Sequence, residues 1–329
     1  MTSIGRAPDA EATQPTDLEC KVSFNSAKER EFEQLVSTIT AMVREQLGHE
    51  PGSGHDHSPS SCSTDEGDCG GCGPCSRKII ELGAARIGAN GAELDPNLLR
   101  ADLAQYIDHT LLKARVSREE LKKLCSEAAQ YCFASVCVNA ANVAFCVRQL
   151  RGSGVPVCAV VGFPLGAMTP AAKAFETKEA VRAGACEIDM VLNIGAMKSR
   201  DYALVLEDIQ QVVQAAKPAL VKVILETAEL THEEKVIACS LSKVAQAAFV
   251  KTSTGFGSAG ATEADVALMK AVVGDELEVK ASGGVRTAAD VDAMIQAGAT
   301  RIGASASIAI VQGKKSAVKR GGRRAAGGY

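Results

Sequence analysis

The sequence contains no tryptophan, and aromatic residues make up only 4% of its 329 positions. A core of ordinary size must therefore be assembled from Ala, Val, Ile and Leu. Neither charge sign is in surplus. Lys and Arg number 36 against 39 Asp and Glu, a formal net charge of −3, so there is no global electrostatic case for nucleic acid or an anionic membrane. No stretch approaches the ~20 apolar residues that a membrane helix needs. The best candidate, Val155 to Met168, is broken by Pro and Gly. Met1 to Leu18 holds acids and prolines without an apolar run, which argues against a secretory leader. These absences predict a cytoplasmic protein.

What is present fits a globular chain: 46% hydrophobic and 23% charged residues. Thirty glycines favour strand–turn–helix units with many tight turns. Twelve cysteines in an unexported chain predict reduced thiols or a metal site rather than a disulfide framework.

Composition changes along the chain. In the segment 26–47, Phe32, Leu35, Val36, Ile39, Met42, Val43 and Leu47 recur at three- and four-residue steps and predict an amphipathic helix. Ser26 with Glu29 reads as its capping box and Gly48 as its stop. A Gly/Ser/His/Cys-rich linker follows. We expect residues 1–76 to form a flexible extension, 77–313 a globular domain, and 314–329 a basic, Gly-rich flexible tail. Within the globular part, nearly continuous apolar runs alternate with helical patterns. The runs are 106–110, 135–139, 157–162, 187–193, 221–226, 248–252, 278–282 and 301–304. Strands buried on both faces read this way. Eight such units predict an α/β fold, a closed (β/α)8 TIM barrel, with a doubly wound open sheet as the alternative.

In a parallel barrel, function collects at the C-terminal ends of strands. Three of those ends carry ionisable residues in apolar text: Asp189, Lys251 and Lys280. A lone lysine there is ordinarily a solvated or ion-paired residue. Two on successive strands, with an aspartate two strands earlier, are hard to explain as structure, because burying an ammonium is costly. Two lysines facing one cavity are expected to depress one another, from ~10.4 towards ~7, which supplies the neutral amine of Schiff-base chemistry. The last two strands end in Gly283-Gly284 and Gly303-Ala304-Ser305. Glycine turns facing helix N-termini let backbone N–H groups approach an anion, and together they suggest a phosphorylated small substrate.

Seven segments carry a resemblance. Tyr-Ile-Asp-His-Thr-Leu-Leu-Lys (106–113), Ser-Val-Cys-Val-Asn (135–139) and Val-Val-Gly-Phe-Pro-Leu-Gly (160–166) come first. Glu-Ile-Asp-Met-Val-Leu-Asn-Ile-Gly-Ala (187–196), Phe-Val-Lys-Thr-Ser-Thr-Gly-Phe (249–256), Lys-Ala-Ser-Gly-Gly-Val-Arg-Thr (280–287) and Arg-Ile-Gly-Ala-Ser (301–305) follow in order. They resemble the deoxyribose-phosphate aldolases over residues 97–312. The resemblance implies a (β/α)8 barrel that reversibly cleaves 2-deoxy-D-ribose 5-phosphate to D-glyceraldehyde 3-phosphate and acetaldehyde, without a cofactor. It places the Schiff-base lysine on Lys251, its partner lysine on Lys280 and the proton-relay aspartate on Asp189. The phosphate loops fall on Gly283, Gly284, Gly303 and Ser305, and the cavity lining near the first strand on Asp108 and Thr110. Some members carry a phosphate-reaching lysine where this chain has Phe256. Some also end in a tyrosine that assists enamine protonation, a role that falls here on Tyr329. A homo-oligomer is expected.

His109 is read as a packing residue. Cys125, Cys132, Cys137, Cys146, Cys158, Cys186 and Cys239 are read as small core residues, with Cys137 bordering the cavity as a second reading. In the extension, Cys69, Cys72 and Cys75 have spacing suited to zinc or an Fe–S cluster, or belong to a thiol-rich linker with no metal. The 26–47 helix with its linker resembles peptides that route enzymes to bacterial microcompartment shell proteins; the bland reading is a helix packed on the barrel. Two functional alternatives remain at this stage: a Schiff-base aldolase for a related phosphorylated sugar, and a non-catalytic barrel scaffold.

Overall fold

The structure is a computed structural model in which residues 100–313 are described. The expected extension 1–76, its helix at 26–47, Cys69, Cys72 and Cys75, the stretch 77–99 and the tail 314–329 with Tyr329 lie outside the described residues.

Eight parallel strands close into a barrel in chain order. They are β1 (Ile107–Leu111), β2 (Ser135–Asn139), β3 (Val157–Val161), β4 (Glu187–Val191), β5 (Leu220–Ile224), β6 (Phe249–Lys251), β7 (Glu278–Ser282) and β8 (Arg301–Ala304). Pairing of β1 with β8, Ile107 opposite Ile302, closes the ring and excludes the open sheet. Around it run α1 (Arg118–Tyr131), α2 (Val143–Gln149), α3 (Pro170–Arg182), α4 (Ile194–Lys198), α5 (Tyr202–Ala216), α6 (His232–Val244), α7 (Glu263–Val273), α8 (Ala288–Gln296) and α9 (Ser307–Val311).

Local signals explain the helix starts. Ser117 with Glu120, Thr231 with Glu234 and Thr287 with Asp290 form capping boxes that satisfy backbone N–H groups lacking an intrahelical partner. Thr169 caps α3, whose first residue is Pro170, a position where the missing N–H costs nothing. On α1, Leu121, Leu124, Cys125 and Ala128 recur on one face and bury against the sheet.

The apolar core lies between strands and helices and is aliphatic as expected; Phe133 and Phe249 are the fully buried aromatics among the described residues. The barrel's interior is different. Lys173, Lys222 and Lys280 head the largest completely buried side chains, and the latter two point into the lumen with Asp108, Asp189 and Glu187. Among the described residues no helix is long and apolar enough to cross a membrane.

Candidate active site

A cavity of about 510 Å³ opens at the C-terminal end of the barrel. Thr110, Lys251, Gly283, Gly284, Gly303 and Ser305 line it, so six positions singled out from sequence converge on one space. The glycines are required by geometry. Gly283 and Gly284 have φ of 86° and 82°, in the left-handed region that side chains disfavour. A Cβ on Gly303 would come within 2.8 Å of the Ser282 Cβ and 3.2 Å of the Lys280 Cε. Thr252 and Ser282 clasp the ends of β6 and β7: the Thr252 hydroxyl donates to the Ser282 carbonyl at 2.9 Å and accepts from its N–H at 2.9 Å.

Below the floor lies a network of ionisable side chains. Asp189 is its hub. Its Oδ2 accepts from Lys251 Nζ at 2.8 Å and from Lys280 Nζ at 2.7 Å. Its Oδ1 accepts from Lys222 Nζ at 2.8 Å and from the Cys158 thiol at 3.1 Å. Lys222 also donates to Glu187 at 2.6 Å. Arg301 crosses the lumen to Asp108 at 2.8 Å and to Glu187 at 3.1 Å, and Asp108 pairs with Lys280. Register sets these meetings: Asp189 lies opposite Lys222, and Lys251 opposite Lys280.

The electrostatics correct one expectation. Burial pushes the Lys280 ammonium down, but the Asp108 and Asp189 carboxylates outweigh it and hold the group above the ordinary lysine value. Lys222 does push it down as well, but the two aspartates outweigh both effects, so the net shift is upward rather than towards neutrality. Burial likewise pushes Asp189 up, and Lys222, Lys251 and Lys280 more than reverse this, holding it well below the usual carboxylate range. Lys222 is raised in the same way, against burial, by Asp189 and its other anionic neighbours.

Three further placements differ from expectation. Asp108, expected on the cavity wall, is completely buried beneath it, tied to Lys280 and Arg301. Cys132 and Cys186, expected in the core, are exposed. Cys158 is not simply a small core residue, since its thiol serves Asp189. His109 does pack as expected, beside Phe133 with Nε2 3.0 Å from Glu127. Sequence reading missed Lys222, Glu187, Arg301 and Glu226. Glu226 has φ of 55°, and its buried carboxylate accepts from both the N–H (3.1 Å) and the hydroxyl of Thr254, shaping the loop after β6. Where Phe256 replaces a lysine, its ring stands edge-on to Phe163 at 5.3 Å and gives the cavity mouth an apolar side.

With this geometry in hand, comparison with known proteins is decisive. The profile of the DeoC/LacD family aldolases matches residues 103–316. The chain belongs to that family. It is 59% identical over 216 residues to the deoxyribose-phosphate aldolase of Lysinibacillus sphaericus, covering 65% of this chain and 97% of that one. It is 58% identical over 218 residues to the enzyme of the same name from Clostridium perfringens, covering 66% and 97%. Among solved structures, the tetrameric deoxyribose phosphate aldolase of Aeropyrum pernix superposes with a TM-score of 0.62 at 32% identity, covering 74% of this chain and all of that one. As a DeoC/LacD aldolase, the chain is an enzyme of carbon–carbon bond cleavage built on a (β/α)8 barrel.

Proposed function

We propose that this aldolase reversibly cleaves 2-deoxy-D-ribose 5-phosphate to D-glyceraldehyde 3-phosphate and acetaldehyde, with Lys251 as the Schiff-base lysine. One observation carries the assignment. Of the three lysines on Asp189, Lys251 alone lines the cavity, whereas Lys222 and Lys280 are sealed below it. A carbonyl carbon can reach only the first.

Lys251 Nζ, once neutral, adds to the open-chain aldehyde, and loss of water from the carbinolamine gives an iminium ion. Asp189, within hydrogen-bond reach of Lys251, takes and returns the protons of that exchange. The iminium accepts the electron pair as the C2–C3 bond breaks. D-glyceraldehyde 3-phosphate leaves, and the remaining enamine is protonated and hydrolysed to acetaldehyde. Lys280, held protonated by its two aspartates, keeps a fixed positive charge beside the reacting nitrogen. Gly283, Gly284, Gly303 and Ser305 offer backbone N–H groups to the phosphate; Phe256 contributes no charge there.

No cofactor enters these steps. We assign residues 1–76 to an extension separate from the 77–313 aldolase barrel, in which the segment 26–47 either directs the protein to microcompartment shells or packs on the barrel, and Cys69, Cys72 and Cys75 either belong to a thiol-rich linker without metal or hold zinc or an Fe–S cluster. The 314–329 tail would bring Tyr329 to the enamine, and the barrel would work as a homo-oligomer. Deleting residues 1–76 should leave turnover largely intact, and on the targeting reading it should abolish co-sedimentation with shells; shell association that survives the deletion would leave a packing helix. Tyr329→Phe should slow enamine protonation without preventing Schiff-base formation.

The function is tested by incubating the purified full chain with 2-deoxy-D-ribose 5-phosphate and measuring acetaldehyde, then repeating with borohydride present. Acetaldehyde release and inactivation that needs both substrate and borohydride are expected. No acetaldehyde, or inactivation without substrate, would contradict the reading.

A further inference from the structure

Two thiols lie at the heart of the network without a part in the chemistry above. Cys137 on β2 and Cys158 on β3 are register partners, so their side chains leave the same face of adjacent parallel strands. Both are completely buried, and their sulfurs and one Asp189 carboxylate oxygen lie within 4.8 Å of one another. We propose that Cys137 and Cys158 form a two-thiolate site for a monovalent soft metal ion of the copper(I) and silver(I) class, and that filling it withdraws Cys158 from Asp189.

Two observations select that ligand. The first is span. The two sulfurs lie within 4.8 Å of each other, a gap that two metal–sulfur bonds of about the ~2.3 Å zinc–thiolate length bridge end to end. The second is coordination. Asp189 already has both oxygens occupied by Lys222, Lys251 and Lys280, so it is no free third ligand. Soft sulfur and a two-coordinate geometry suit copper(I) better than zinc, which takes four ligands.

Binding converts two thiols and M⁺ into a bis-thiolate complex of charge −1 and releases two protons to solvent.

The route in is the substrate cavity. Leu112 lines the cavity and packs, with Phe163, against Cys137 and Cys158, so the pair lies one side chain below the floor. Metallation removes the 3.1 Å hydrogen bond from Cys158 to Asp189 Oδ1 and places an anion beside the relay carboxylate. Turnover should fall with occupancy.

Silver(I) in chloride-free buffer is the probe, because it does not cycle redox state. Full-length crystals soaked with it should show an anomalous peak midway between Sγ of Cys137 and Sγ of Cys158. In solution, silver should inhibit the parent chain, and Cys158→Ala should need at least about ten times more for the same fractional loss of its own silver-free rate. Cys125→Ala, a buried thiol on α1 outside the lumen, should match the parent. Thiols outside the barrel take up silver in all three proteins and shift the curves equally. Absence of the peak overturns the proposal, as does equal sensitivity of Cys158→Ala and the parent, or a peak without inhibition. The inhibition arm rests on the aldolase reading. If the chain releases no acetaldehyde at all, that reading fails and the anomalous peak still decides the site.

Discussion

The molecule buries charged lysines in two places, and the two behave oppositely. In the barrel lumen, Lys280 and Lys222 are held above the ordinary lysine value and Asp189 well below the ordinary carboxylate value, because each ion meets several of opposite sign. Outside the sheet, Lys173 on α3 pairs with Asp208 on α5 and donates to the Val191 carbonyl at 2.8 Å. There burial wins: the Lys173 ammonium is pushed down and the Asp208 carboxyl pushed up. Lys173, Lys222 and Lys280 are all completely buried, but among the described residues only the lumen network reaches a cavity, through Lys251. A buried lysine is therefore no marker of chemistry by itself. Access, and a surplus of partners that fixes the charge pattern, separates a reaction centre from a structural pair.

The largest effect should separate the two regions by activity. Lys251→Leu should reduce turnover by about 10⁴-fold or more, as removal of a covalent nucleophile does, with the fold retained by thermal melting. Lys173→Met should keep turnover within severalfold wherever the protein is folded. Comparable loss in both would erase the distinction.

Stability should show the reverse order. Lys173→Met leaves Asp208 buried without its partner and should cost about 3–5 kcal/mol in denaturant unfolding. Adding Asp208→Leu should restore parent stability or exceed it, because an apolar pair avoids the desolvation penalty. A double variant no better than the single would show that the ion pair itself stabilises the fold.

The smallest effect is on acid stability. Asp108 and Asp189 have folded values below their unfolded ~3.9, so their contribution is fully present above that pH and is lost as pH falls through the folded values. Asp208 is raised, so it takes up a proton in the folded state first and offsets part of that loss. Chemical denaturation between pH 5 and pH 3 (values set by ~3.9 for aspartate) should show declining stability, slightly steeper in the Lys173→Met, Asp208→Leu variant. A shallower decline in the variant would reverse the sign assigned to Asp208.

Much of this was legible in the sequence. Strands buried on both faces write themselves as apolar runs, and β2, β7 and β8 begin and end where the runs do. The site lysines stood out because they interrupt such runs. Lys222 interrupts one too, in Leu-Val-Lys-Val-Ile, but it lies mid-strand rather than at the C-terminal end where function was sought. Glu187 and Arg301 open their strands, at the end opposite the one where function was sought. Only ring closure, which brings together positions 114 residues apart, reveals them as partners. Lys173 inverts the usual pattern: it is completely buried while Phe175, two residues on, is 66% exposed. Spacing on a helix could not have announced that, because the partner carboxylate lies on another helix.

The most direct test of the central claim is to trap the enzyme with acetaldehyde and borohydride and map the modified lysine by peptide mass spectrometry. Four lysines in the barrel are buried: Lys173, Lys222, Lys251 and Lys280. If access to the cavity selects the reacting amine, the adduct lies on Lys251 alone. An adduct on Lys280 or Lys222, or one spread over several of the four, would contradict the account.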